Sequence, residues 1–250
     1  MKNNYVMRLN ENLLWLSILV LGILSYLKNT KYVVILIFWV VIIISVGNAK
    51  RVYSKKYIIT STVIRRSLYV IPFLLPIIID FEVSIKTKNL VYWCIAGMVV
   101  GIMFILPKLN EWRLVLSKDM IEFTSKKNRV DYITQIYMLL GAAIGEEIFF
   151  RNFIIGYIDN SSYVFLVILS CSMFFLNHFG VKWNNHFKKQ DYIIQIVFGS
   201  ASAVLFILSK SVLPSIIAHS VFNAPLMLLA LKSCFYHYNK NKLFENQNAK

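Results

Sequence analysis

Long apolar runs dominate this 250-residue chain and leave little choice of fold. Eight of them follow one another, at positions 13–27, 32–47, 67–79, 90–106, 133–158, 163–179, 192–208 and 212–231. With 58% hydrophobic residues and a mean hydropathy of +0.60, the composition lies outside the range of soluble globular proteins. Runs that approach ~20 residues are typical of transmembrane helices. We therefore predict an all-α polytopic membrane protein of about eight transmembrane helices.

The third apolar run is the least regular of the eight, because it contains Pro72 and Pro76. Proline lacks the backbone N–H that an α-helix needs, and it kinks or ends the helix in which it lies. We therefore expect this span to be kinked, or displaced by about a turn toward Tyr57.

The distribution of basic residues predicts the orientation of the chain in the membrane. If the spans alternate in direction, 21 of the 27 Lys and Arg residues fall on one side, five fall on the other and Arg151 lies within a span. Because cytoplasmic loops carry the Lys and Arg excess, we predict a multi-pass protein of the cell membrane with cytoplasmic N- and C-termini. The net charge of +15 then reflects topology and attraction to anionic lipid, and it does not indicate a nucleic-acid partner.

We interpret residues 1–250 as a single membrane domain with four parts. Residues 1–107 are predicted to hold four N-terminal spans, and residues 108–131 form a cytoplasmic linker. The apolar residues within the linker, such as Trp112 and Ile121, suggest an amphipathic helix on the membrane surface. Residues 132–231 are predicted to hold a four-span core, and residues 232–250 a cytoplasmic tail.

Three charged residues interrupt the fifth run, within the sequence GEEIFFRNF. Ionisable groups cost roughly 2.5 to 3.5 kcal/mol each inside a bilayer, so they mark functional sites by default. Glu147 and Arg151 share a helix face at four-residue spacing and are predicted to form an ion pair. Glu146 is rotated by about 100° from Glu147, has no cation at that spacing and is a candidate general base. The alternative is that all three residues form a packing network or line an ion path.

Polar residues in two later runs favour catalysis. His178 closes the sixth run, four residues after Phe174, and His219 and Asn223 lie four apart on one face of the last run. A lone histidine near a helix end is more often an interface or capping residue, and His178 by itself indicates no more than that. His219 and Asn223 are harder to dismiss, because each needs a hydrogen-bond partner in apolar surroundings. Together with Glu146, these residues supply a base, two imidazoles and an amide from three helices.

The depths of these residues predict the form of the site. His178 lies near the cytoplasmic end of its run, whereas Glu146 lies roughly 15 to 20 Å inside at a rise of 1.5 Å per residue. We therefore expect either a longer sixth helix or a funnel-shaped intramembrane cavity open to the cytoplasm, and we favour the funnel because it would admit water to these polar groups. The other two histidines, His186 and His237, are predicted to be solvated.

The ordered motifs resemble those of a known protease family. Glu146-Glu147-x-x-x-Arg151, Phe174-x-x-x-His178 and His219-x-x-x-Asn223 are similar to the three-motif pattern of the CPBP family. This family of intramembrane glutamic proteases includes CAAX prenyl proteases and the bacteriocin-processing or self-immunity (Abi) proteins. The resemblance covers about Gly141 to Pro225, and the four N-terminal spans match only in being hydrophobic.

The resemblance implies a role for each motif residue. Glu146 is expected to be the general base on water, with His178 assisting, and His219 and Asn223 are expected to hold the oxyanion. Glu147 and Arg151 are expected to form the structural pair that orients Glu146. The implied activity is peptide-bond hydrolysis without a cofactor or a metal, on a membrane-associated peptide, protein or leader. It would serve maturation of a bacterial secreted or signalling peptide, or bacteriocin self-immunity.

Three other functions compete with this interpretation. A zinc-dependent membrane protease would use the histidines and carboxylates as ligands, but the chain has no His-Glu-x-x-His motif. A non-catalytic immunity or regulatory protein would bind a peptide or a partner membrane protein, which leaves the buried base, imidazoles and amide without a purpose. A transporter would show Gly- or Pro-broken spans at matching places in two halves, and we see no such pair.

Overall fold

The computed structural model describes residues 9–158, 161–180 and 189–248, and within these ranges the chain forms helices and no strand. The α-helices are α1 Leu9–Leu27, α2 Lys31–Asn48, α3 Ile58–Ser67, α4 Leu75–Ile78, α5 Leu90–Ile105, α6 Leu109–Val115, α7 Lys118–Glu122, α8 Arg129–Glu147, α9 Ile154–Tyr157, α10 Tyr163–Gly180, α11 Lys189–Ser209 and α12 Leu213–Asn248. A π-helical segment, Ile148–Phe153, joins α8 to α9. The fifth predicted run is therefore helical from Arg129 to Tyr157.

The structure confirms the all-α polytopic fold but not the predicted count of eight spans. In the part of the chain that is described, five helical segments are long and apolar enough to cross a membrane. They are Lys31–Arg51, Ile58–Ile78, Leu90–Val115, Gln190–Ser209 and Leu213–Tyr238. Two further apolar helices, α1 and α10, are 19 and 18 residues long, at the lower end of the length of a membrane span.

The proline-containing span begins at Ile58, nine residues before the start of the predicted run, so it is extended toward Tyr57 by more than the one turn expected. It consists of α3, a 3₁₀ turn at Ile71–Leu74 and the short helix α4. Pro72 and Pro76 each lie at the start of one of these last two elements, where the missing N–H costs no intrahelical hydrogen bond. The prolines therefore divide this span into short segments.

Two glycines allow α5 to pack against α12 almost backbone to backbone. A Cβ atom at Gly97 would lie 2.2 Å from the Pro214 carbonyl oxygen, and one at Gly101 would lie 2.6 Å from the Ala218 carbonyl oxygen. The Gly97-x-x-x-Gly101 spacing is a small-residue pattern that lets membrane helices approach closely. This contact fixes the half of α12 that carries His219.

The linker and the C-terminal residues form further helices. Residues 108–131 contain the short helices α6 and α7 and the start of α8. The predicted tail from residue 232 is a continuation of α12. The Lys232 ammonium group donates to the Leu116 carbonyl oxygen at 3.3 Å, and the Tyr238 hydroxyl donates to the Lys127 carbonyl oxygen at 3.1 Å. These hydrogen bonds attach the end of α12 to the linker, a tertiary contact that local sequence patterns do not reveal.

Candidate active site

The two adjacent glutamates end α8, and the helix widens immediately after them. All six side chains of the π-helical segment are buried, including Arg151 and three phenylalanines. The ring centroids of Phe149 and Phe150 lie 6.2 and 5.8 Å from that of Phe73 in the proline-containing span. π-helical insertions are rare and occur frequently at functional sites. Here the segment holds the cationic partner of the second glutamate inside the protein.

Glu147 is fully buried and accepts hydrogen bonds from two other helices. Its Oε1 lies 2.8 Å from Nδ1 of His219, and its Oε2 accepts from the Ser202 hydroxyl at 2.7 Å. Nε of Arg151 lies 3.1 Å from the same Oε2, so the ion pair expected from the four-residue spacing is present. Glu147 therefore connects α8, α11 and α12 through one carboxylate.

Arg151 has further contacts that stabilise its charge. Its Nη2 donates to the Gly199 carbonyl oxygen at 3.3 Å, and its guanidinium carbon lies 4.3 Å from the ring centroid of Phe174. Cation–π contacts of this kind are worth more when they are desolvated. The buried guanidinium thus depends on a carbonyl dipole and an aromatic face in addition to Glu147.

Glu146 has a different environment from Glu147. Its side chain is 2% exposed, and its Oε2 lies 3.8 Å from Nε2 of His178 with no hydrogen-bond partner in the described structure. The His178 Nδ1 lies 3.0 Å from the Phe174 carbonyl oxygen, which can only accept a hydrogen bond. Nδ1 therefore carries a proton, and Nε2 is the nitrogen that faces the carboxylate. The structure thus brings together the two residues whose predicted depths differed.

A second cavity lies beside the start of α8. Tyr132 and Gln135 line a cavity of about 320 Å³ together with Thr124 and Ser125 of the linker and Ser233 of α12.

His219 and Asn223 are a turn apart on α12, and each contacts α8. The side chain of His219 is 6% exposed, and its Nδ1 faces Glu147. Because an ionised carboxylate accepts only, this contact assigns a proton to Nδ1. The Asn223 amide donates one hydrogen bond, to the Leu139 carbonyl oxygen at 3.0 Å. The second amide hydrogen and the amide oxygen remain available for a ligand.

A cavity of about 400 Å³ borders Glu146, His178, His219 and Asn223. Its other lining residues are Phe104, Lys108, Trp112, Gln135, Met138, Leu139, Ala142, Asp191, Ile194, Gln195, Phe222 and Leu226. Lys108 and Asp191 form a partly exposed ion pair across this cavity, between the end of α5 and the start of α11. The cavity therefore combines an apolar wall with a charged pair and the four polar motif residues.

The six sequence-predicted site residues divide into two groups. Glu146, His178, His219 and Asn223 line the cavity, whereas Glu147 and Arg151 lie behind it and reach it through His219. His186 lies outside the described residues. His237 does not line this cavity, and its Nε2 lies 3.1 Å from the Thr124 hydroxyl. Among the residues that are described, no three His, Cys, Asp or Glu side chains are grouped so as to hold a metal ion.

The sequence interpretation missed Ser202 and the close packing of α5 on α12. Ser202 lies within the run Gly199-Ser200-Ala201-Ser202-Ala203, and such clusters of small residues are enriched where membrane helices pack closely. The four-residue spacing of Gly97 and Gly101 likewise indicates a close contact between helices. Both signals were present in the sequence, although neither identifies the partner helix.

Comparison with known proteins identifies a family for the segment that contains the site. Residues 129–225 match the model of a family described as type II CAAX prenyl endopeptidase, Rce1-like. The match runs from the first residue of α8 to Pro225 in α12 and contains all six motif residues. No curated protein and no solved structure shows significant similarity to the chain. The family is one of CAAX endopeptidases, which supports peptidase activity. Residues 129–225, which carry the three motifs, are therefore similar to the CAAX protease (CPBP) family of membrane endopeptidases that those motifs indicate.

Proposed function

We propose that this protein hydrolyses a peptide bond of a membrane-associated peptide, protein or leader with water that Glu146 activates. The observation that carries the proposal is the position of the Glu146 carboxylate. It borders a cavity of about 400 Å³ together with His178, His219 and Asn223, and it is not committed to the ion pair that holds Glu147. Of the two glutamates, Glu146 is thus the one that can exchange a proton.

The first chemical step is the attack of water on the scissile carbonyl carbon. Glu146 accepts a proton from the water molecule as the C–O bond forms. His178 presents Nε2 at 3.8 Å from the carboxylate, a separation that permits both groups to contact the same water. His178 therefore assists by orienting the nucleophile.

The second requirement is stabilisation of the oxyanion that forms on the carbonyl oxygen. The free amide hydrogen of Asn223 serves as one donor. His219 serves as a donor from Nε2 when its ring is doubly protonated, since Nδ1 already holds a proton against Glu147. Collapse of the intermediate breaks the C–N bond, and the proton held by Glu146 passes to the leaving amine. The products are a carboxylic acid and an amine, and no metal or cofactor takes part.

The Glu147–Arg151 pair has a structural role in this scheme. It contributes no group to the cavity lining, but it fixes the end of α8 from which Glu146 projects. Because neighbouring residues on a helix point in different directions, the catalytic carboxylate faces the cavity and the structural one lies behind it.

The substrate we propose is a peptide with an apolar residue next to the scissile bond. Phe104, Leu139, Phe222 and Leu226 provide the apolar part of the cavity wall. The name of the matching family points to prenylated CAAX ends, and a farnesylated CAAX peptide is the first substrate to test. Maturation of a bacterial secreted or signalling peptide, or self-immunity to a bacteriocin, is the biological role we favour.

The location we propose is the cell membrane, with both termini and the cavity mouth facing the cytoplasm. The excess of Lys and Arg on that side supports this orientation and an association with anionic lipid. A cytoplasmic mouth would admit both water and a peptide made inside the cell.

Comparative peptide analysis tests the proposal in cells. Membrane and secreted peptides from cells that produce the wild-type chain, the Glu146→Gln variant or no chain are compared by mass spectrometry. Glutamine keeps the shape of the side chain and removes the base, so we expect cleavage products with the wild type only. A Glu146→Gln chain that retains the biological effect would instead support a non-catalytic immunity or regulatory protein.

A further inference from the structure

A closed ring of buried contacts connects His219 with Glu147, Ser202 and Ser215. His219 contacts Glu147 at 2.8 Å, Glu147 accepts from the Ser202 hydroxyl at 2.7 Å, and the Ser202 carbonyl oxygen accepts from the Ser215 hydroxyl at 2.8 Å. Ser215 precedes His219 by one turn of α12, which closes the ring. Ser202 and Ser215 are both fully buried. The ring thus joins α8, α11 and α12.

Only one member of this ring faces the cavity. His219 lines the cavity, whereas Glu147, Ser202 and Ser215 are absent from its lining. Neither serine can therefore contact a substrate held in the cavity. Any effect of the serines on the reaction must pass through the orientation or the proton of His219.

The Ser202 hydroxyl determines how the Glu147 carboxylate is held. Oε2 meets two groups, the Ser202 hydroxyl and Arg151 Nε, while Oε1 is left for Nδ1 of His219. Without the hydroxyl, Arg151 alone would hold Oε2, and the carboxylate could rotate away from the imidazole. The aromatic neighbours of His219 are Phe174 and Phe198, with ring centroids 6.1 and 5.2 Å from that of the imidazole, and their side chains supply no replacement acceptor.

We propose that Ser202 and Ser215 are positioning residues for the hydrolysis, because they hold Glu147 and α12 so that His219 keeps a proton on Nδ1 and presents Nε2 to the cavity. This inference rests on the proposed function of His219 as a donor from Nε2. Ser202 acts directly on the carboxylate. Ser215 acts by fixing α11 against the turn of α12 that carries the imidazole.

The protonation pattern of His219 tests the inference without any substrate. The chain contains four histidines, so ¹⁵N-histidine labelling of the full protein in detergent micelles gives a small set of signals, and the His219→Gln spectrum assigns one of them. We expect the wild type to show a proton fixed on Nδ1 of His219. Ser202→Ala should remove this single pattern and give a mixture of forms at the same pH.

Ser170→Ala is the matched control for this experiment. Ser170 is also fully buried, and its hydroxyl donates to the Phe150 carbonyl oxygen at 2.6 Å, outside the ring. We expect the His219 signal of Ser170→Ala to match that of the wild type. An unchanged His219 signal in Ser202→Ala would overturn the inference, even if the variant were less stable.

Turnover of a farnesylated CAAX peptide gives the second readout. Loss of a hydrogen bond to a charged group corresponds to about a 10- to 100-fold effect, so kcat of Ser202→Ala should fall by this factor while KM stays close to the wild-type value. Ser202→Thr, which keeps the hydroxyl, should recover most of kcat. A Ser202→Ala enzyme with normal kcat overturns the positioning role. If the wild type cleaves neither this peptide nor any peptide in the cellular comparison, the proposed function fails, while the NMR comparison still tests the ring.

Discussion

Replacement of Glu147 by glutamine should destabilise the protein far more than the same replacement of Glu146. Arg151 Nε, the Ser202 hydroxyl and His219 Nδ1 all point at the Glu147 carboxylate. Glutamine offers one oxygen to these three groups and directs an NH₂ donor at the others. The neighbouring Glu146→Gln change meets no comparable set of donors, because Oε2 of Glu146 has no hydrogen-bond partner in the described structure.

The size of the effect follows from the burial of the pair. Arg151 and Glu147 both have fully buried side chains, and loss of one member of a buried ion pair typically costs about 3 to 5 kcal/mol. For a chain of this length, about 1 kcal/mol corresponds to a shift in Tm of about 2 to 4 °C. We therefore expect Glu147→Gln to lower Tm by about 6 to 20 °C. Glu146→Gln should change Tm by less than about 2 °C.

Thermal unfolding of the purified variants in one detergent measures both values. Arg151→Met is a useful companion, since it removes the cation and should also lower Tm by leaving Glu147 with too few donors. A double variant, Glu147→Gln with Arg151→Met, should be less destabilised than the sum of the two single variants, because the residues interact directly. A larger drop for Glu146→Gln than for Glu147→Gln would refute the division into a catalytic and a structural glutamate.

Three further predictions concern the oxyanion site, the helix contact and the topology. Asn223→Ala should reduce kcat by about 10² to 10³ with little change in KM, as expected for the loss of one oxyanion donor. Asn223→Asp should be worse, because a carboxylate would also face the Leu139 carbonyl oxygen. Unchanged kcat with a raised KM would assign Asn223 to peptide binding. Gly97→Ala should separate α5 from α12 and lower both Tm and activity. Gly22→Ala is the neutral control, because no atom lies within 4 Å of a Cβ built there. Equal Tm values for the two variants would contradict the packing argument. Reporter fusions after Lys56 and Lys240 should both score as cytoplasmic, and an external signal from either would reject the predicted orientation.

The fold class follows from hydrophobicity alone, but the number of spans does not. Apolar runs such as 13–27 and 163–179 predict helices correctly, but these helices, of 19 and 18 residues, lie at the lower end of the range for a span, so hydropathy alone does not decide whether they cross the membrane. The continuation of α12 beyond residue 232 was missed because its polar residues resemble a solvated tail. Its contacts with Leu116 and Lys127 depend on tertiary structure, which no local pattern reveals.

The motif residues of the site could be found from helical spacing, whereas their partners could not. The four-residue interval predicts the contact between Glu147 and Arg151, since both residues lie on the same helix. The contacts of His219 with Glu147 and of His178 with Glu146 join different helices, and these depend on how α10 and α12 pack against α8. Ser202 was missed for the same reason, because a serine among small residues is ordinary until its neighbour is a buried carboxylate.

The central claim is that Glu146 activates water for peptide hydrolysis without a metal ion. The most direct test incubates a farnesylated CAAX peptide with purified wild type and with Glu146→Gln, each with and without a strong zinc chelator, and detects the cleaved peptide by mass spectrometry. We expect the wild type to cleave equally well with and without chelator, and we expect no product from a Glu146→Gln protein of unchanged Tm. Cleavage by Glu146→Gln, or wild-type cleavage that stops with chelator and returns with added zinc, would contradict the claim.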